Sequence, residues 1–168
     1  MTTTGPVRVV GMGSPNADDA LAWTVISELE LASGDYPEVE FHRVMGGHQL
    51  LDRLDGRGIL ILIDALSGCG PIGTVHSFTW PDARVDSLSP RSTHLLGAAD
   101  ALRLAETVGS LPPQVLIVGV EAECFAAGES LSPQVRAAVP LLVQQVQQLL
   151  DASLRQGNTH QASMTWGG

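Results

Sequence analysis

Residues Ile59-Leu60-Ile61-Leu62-Ile63 form an unbroken aliphatic run, rich in β-branched side chains, that stops on Asp64. A strand of this kind has no polar face to turn toward water, so both of its faces need cover. That is the situation of a central strand in a parallel sheet with helices packed above and below. The rest of the chain must supply those neighbours.

It does so in alternation. Val7-Arg8-Val9-Val10 reads as a short buried strand, and a helix pattern follows over about residues 20–32, with Leu21, Val25, Ile26 and Leu29 on one face. Val39 to Val44 alternates apolar and polar residues as a half-exposed strand does. Met45-Gly46-Gly47 is a glycine turn that opens a short helix through about Leu54. Thr74 to Trp80 alternates again, too soon after Ile63 for a helical crossover, and is expected to be an edge strand antiparallel to its predecessor. A helix from His94 to about Thr107, capped by Ser92 or Thr93, presents Leu95, Ala98, Leu102 and Ala105 to the core. Gln114 to Val120 is a second buried strand, and Glu121 to Ser130 reads as loop. Ser132-Pro133 starts a last helix carrying Val135, Val139, Leu142, Val143, Val146, Leu149 and Leu150, with Pro140 expected to kink it or shift its start. The order predicts a three-layer α/β sandwich: a mostly parallel twisted sheet of about five strands, one antiparallel edge strand, and helices on both faces. Residues 1–152 read as one α/β domain, and the polar, patternless stretch 153–168 as a mobile tail.

Composition removes several functions. The chain carries a formal charge of −9, and its nine cations are all arginine. With no basic stripe, neither nucleic acid nor an anionic membrane surface is an expected partner. Cys69 and Cys124 are too few for a disulfide framework and neither lies in a CxxC, so both read as free thiols. No signal peptide or membrane span is evident, and the expected compartment is the cytoplasm.

In a sheet of this type, ligands bind beyond the carboxyl ends of the strands. Three candidates stand at such places: Asp18-Asp19 after the first strand, Asp64 at the end of the central strand, and His94 at the start of a helix. Each also has a plain reading, as a helix cap, a strand-end acid on loop amides and a local hydrogen-bonding group. Together they offer carboxylates and an imidazole with a vacant position, a donor set suited to a divalent metal. A nucleotide site fares worse. Gly11 and Gly13 begin a GxGxxG pattern, but Asn16 breaks it, and the two acids put negative charge where a pyrophosphate needs bare amides. No P-loop lysine and no GxSxG elbow exists.

The ordered set of motifs resembles the hydrogenase maturation proteases, which trim the C-terminus of the [NiFe]-hydrogenase large-subunit precursor after nickel insertion. The family's opening GxGNPLxxDDGxG stands here as Gly11-Met12-Gly13-Ser14-Pro15-Asn16-Ala17-Asp18-Asp19-Ala20-Leu21-Ala22-Trp23. Its strand ending in Asp-Ala is Ile61 to Ala65, its SxHxxG is Ser92-Thr93-His94-Leu95-Leu96-Gly97, and its GIEP-like strand end is Val118-Gly119-Val120-Glu121-Ala122. The likeness spans about residues 7–150. It implies that Asp19, Asp64 and His94 serve as both metal-binding and catalytic residues, with Asp18 the alternative to Asp19. Gly47, His48 and Gln49 resemble the variant found in proteases of bidirectional, NAD-linked hydrogenases and are implied to select the substrate. The implied metal is nickel carried by the precursor, though zinc or cadmium can occupy such a site in vitro. The implied partner is that large-subunit precursor, and the protease is expected to be a monomer. A non-catalytic, metal-dependent chaperone of the precursor is the alternative, followed by a nucleotide-binding module.

Overall fold

The computed structural model describes residues 5–87, 97–123 and 130–163, with side chains as far as 156. Five strands form one sheet: β1 (Val7–Met12), β2 (Val39–Val44), β3 (Ile59–Leu66), β4 (Val75–Thr79) and β5 (Gln114–Glu121). The helices are α1 (Leu21–Leu31), α2 (Gly47–Leu51), α3 (Ala98–Val108) and α4 (Pro133–Ser163), with a 3-10 turn over Ala17–Ala20 ahead of α1. The strand order is β2-β1-β3-β5-β4. All neighbours are parallel except β4 and β5. This is the predicted fold class.

All eight residues of β3 are buried, as a strand with two apolar faces requires. Alternation along β3 divides the core in two. Ile59, Ile61, Ile63 and Ala65 pack with α1 and α4, while Leu60, Leu62 and Leu66 pack with α3 and Leu50 of α2. The expected apolar faces of α1 and α3 are buried from Leu21 to Leu29 and from Ala98 to Ala105. Gly109 ends α3 in the left-handed conformation, at φ 78°, where a Cβ would be strained.

Four local expectations differ. The edge strand β4 is antiparallel, but its partner is β5; β5 inserts between β3 and β4, where its backbone groups find hydrogen-bond partners on both edges. Helix α3 starts at Ala98 with Gly97 in extended conformation as its N-cap, so Ser92 or Thr93 is not the cap. Those residues, with His94 and Leu95, lie outside the described residues. Glu121 is the last residue of β5 and is buried. Finally, α4 continues through Ser163, into the stretch read from sequence as a tail, where Ser153 is buried and Leu154 packs on the core. Pro140 does not shift the start of α4. It sits on the exposed side of the helix, where water can satisfy the Arg136 carbonyl that loses its i+4 donor. Among the described residues no helix is long and apolar enough to cross a membrane.

Candidate active site at the carboxyl ends of β1 and β3

Strand order reverses at β1. The chain leaves β1 through α1 to β2 on one side, and from β2 returns through α2 to β3 on the other. The two helices belong to opposite core layers, and in a sheet of this topology the carboxyl ends of the two strands at such a reversal, here β1 and β3, are where ligands bind. Asp19 follows β1, and Asp64 is near the end of β3, one residue past the Gly11↔Ile63 pairing of the two strands.

The opening turn has a defined shape. The Gly13 N–H donates to the Val44 carbonyl at 2.9 Å, and Ser14 N–H to the Asp19 carbonyl at 3.1 Å. Asp19 N–H donates to the Asn16 carbonyl at 3.1 Å, and the Trp23 indole N–H reaches the same Val44 carbonyl at 3.3 Å. A phosphate cradle needs such amides free, and here Gly13, Ser14 and Asp19 have spent theirs on the turn itself. The nucleotide reading loses its physical basis.

Adjacent acids in this turn do different work. Asp18 is fully buried, and its carboxylate accepts the Ser132 N–H at 2.7 Å, the Ser132 hydroxyl at 2.9 Å and the Glu123 N–H at 3.2 Å. Asp19 is half-buried, with Oδ1 3.7 Å from where a Cβ on Gly13 would sit. Neither acid caps a helix: the cap positions fall on Asn16 and Ala20, without a side-chain cap bond at either. Ser132 does precede α4, and its carbonyl accepts the Arg136 N–H at 2.9 Å, but its hydroxyl turns to Asp18.

Asp64 is fully buried, and its Oδ1 accepts the Ala65 N–H at 2.8 Å. Its place in the alternation of β3 puts it on the α2/α3 side, between Ile63 and Ala65 of the other layer. His94 lies outside the described residues. Among the described residues no group of three His, Cys, Asp or Glu side chains is gathered so as to hold a metal.

Sequence reasoning missed Glu121. Its carboxylate accepts the Gly68 N–H at 2.5 Å and the Cys69 N–H at 2.9 Å, fastening the loop after β3 to the end of β5. A carboxylate ending a fully apolar run was the available signal, as it was for Asp64. Of the proposed recognition residues, Gly47 is buried at the start of α2, whereas His48 and Gln49 are exposed. Gln49 Oε1 accepts the Met45 N–H at 2.9 Å and so braces the turn that presents His48.

The family model HycI, hydrogenase maturation protease, matches residues 45–149, more than half of the chain. That stretch contains Asp64 and the position of His94 but not Asp19. The hydrogenase maturating endopeptidase HybD from E. coli is similar at 27% identity and TM-score 0.72, over 89% of this chain and 94% of that one. An endopeptidase from Escherichia coli is 28% identical at TM-score 0.71, over 84% and 90% of the two chains. The [NiFe] hydrogenase maturation protease HybD from Thermococcus kodakarensis shares the fold at 18% identity and TM-score 0.65, over 87% and 99%. No curated protein matches the sequence. The chain belongs to the hydrogenase maturation protease family, a family of endopeptidases.

Proposed function

We propose that this protein removes the C-terminal extension of a [NiFe]-hydrogenase large-subunit precursor, and that it does so only once nickel is seated in that precursor. Asp19, Asp64 and His94 are the docking set for the nickel, which belongs to the substrate. What carries the reading is the pair of carboxylates at the ends of β1 and β3, where the strand order reverses, in a chain of this family. The engagement of Asp18 with Ser132 and Glu123 supports Asp19 as the carboxylate that faces substrate.

In this scheme the docking groups hold the metal-bearing segment so that the scissile amide lies beyond the carboxyl ends of β1 and β3. Nickel, when present, supplies charge that favours the developing oxyanion. A carboxylate of Asp19 or Asp64 takes the proton from the attacking water, the amide bond breaks, and the leaving nitrogen is protonated. Gly47, His48 and Gln49, at the exposed turn after β2, select the large subunit; the protease acts as a monomer in the cytoplasm.

The test is cleavage of nickel-loaded precursor, followed by the mass of the released peptide. Asp19→Ala, Asp64→Ala and His94→Ala are each expected to lower turnover at least about 100-fold, the scale of removing a preorganised electrostatic group. Normal cleavage by any one of them removes that residue from the set. Tight precursor binding without peptide release by the wild type would turn the reading into that of a chaperone.

A further inference from the structure

A fully buried carboxylate such as Asp18 is tolerable only where donors meet it, and here they come from far along the chain. Glu123 follows the end of β5, and Ser132 is the residue on which α4 begins. One carboxylate therefore ties the opening turn to two elements at once. Ser132 is itself held, since its carbonyl accepts the Arg136 N–H at 2.9 Å in the first turn of α4.

The next residue is fixed from the other side. The Asp19 N–H bonds to Asn16 and its carbonyl to Ser14, both at 3.1 Å, and the same carbonyl presses on Gly13 so closely that no Cβ fits there. With the side chain of residue 18 pinned to the body and the backbone of residue 19 pinned to the turn, the Cα–Cβ direction of Asp19 has little freedom.

We infer that Asp18 is a positioning residue for the hydrolysis: through Ser132 and Glu123 it fixes the direction of the Asp19 carboxylate at the end of β1, and it does not touch substrate. The inference rests on the reading that Asp19 docks on the precursor. A misdirected docking group costs turnover even when the fold survives, because small displacements of reacting groups carry large rate penalties.

Asp18→Asn keeps the shape and replaces one acceptor oxygen with a donor. Ser132→Ala removes a single donor and keeps both backbone N–H groups, so it serves if Asp18→Asn does not fold. In variants shown by circular dichroism to be folded at the assay temperature, kcat on nickel-loaded precursor is expected to fall roughly tenfold with KM unchanged. Ser132→Thr, which keeps the hydroxyl, is expected to restore kcat to within about twofold of wild type. Wild-type kcat in the folded variants, or a deficit that Ser132→Thr does not restore, overturns the positioning role. Asp19→Ala in the same assay separates the two levels. If it cleaves normally, the docking reading fails and the inference with it; if it is inactive while Asp18→Asn and Ser132→Ala turn over at the wild-type rate, only the positioning role fails.

Discussion

A Cβ placed on Gly13 would lie 2.0 Å from the carbonyl oxygen of Asp19, inside any allowed contact. The obstacle is backbone, which cannot swing aside as a side-chain end can. Gly13→Ala is therefore expected to displace the Asp19 backbone, break the Ser14 to Asp19 hydrogen bond and cost about 3 kcal/mol. Gly34, with open space around it, is the control; Gly34→Ala should stay within about 0.5 kcal/mol of wild type. Urea denaturation of the two variants checks the contrast.

Glu121 holds two amides of the loop after β3 from a buried position, so the Glu121→Gln amide, with one acceptor oxygen, leaves one of those amides unmet. A loss of about 2 kcal/mol is expected. The Cys69 backbone is one of the tethered groups, so alkylation of Cys69 should also speed up several-fold, read by peptide mapping that distinguishes it from Cys124. Unchanged stability and labelling would show that the loop does not depend on this tether.

Much of this fold was legible because apolar runs dictate their own surroundings. The β3 run demanded two covered faces and has them, and the helical spacing of Leu21 to Leu29 named the buried face of α1. The partner of β4 was not legible, because β5 enters the sheet from 35 or more residues later and no local pattern encodes that insertion. Asp18 and Asp19 are alike in chemistry and adjacent in sequence. What separates them is the arrival of Ser132, 114 residues on, and composition carries no trace of that contact. Glu121 was quoted within a motif yet read as loop, since its burial depends on the glycine-rich turn that folds over it.

Acid stability should report a separate structural pair. Arg8 bonds both oxygens of Asp55 at 2.9 Å, and with help from the Arg57 N–H this holds the Asp55 carboxyl well below the usual carboxylate range. A pKa depressed in the folded state adds stability above the unfolded value near 4, and that contribution is lost as pH falls through the folded value. Asp55→Asn should thus be less stable than wild type at neutral pH, with the gap closing as pH drops below about 4. A gap constant with pH would contradict this.

At the proposed recognition turn, Gln49 works through its acceptor oxygen on the Met45 N–H. Gln49→Ala is expected to raise KM for the precursor several-fold with little change in kcat, because the turn presenting His48 loosens. Gln49→Glu, which retains an acceptor, should remain near wild type. Equal KM values for all three proteins would remove the turn from substrate selection.

The proposed dependence on nickel is tested most directly by offering the wild-type protein two forms of one precursor, nickel-loaded and nickel-free, and weighing the products over time. The proposed docking of Asp19, Asp64 and His94 on the metal predicts release of the C-terminal peptide from the loaded form alone. Equal release from both forms would contradict it.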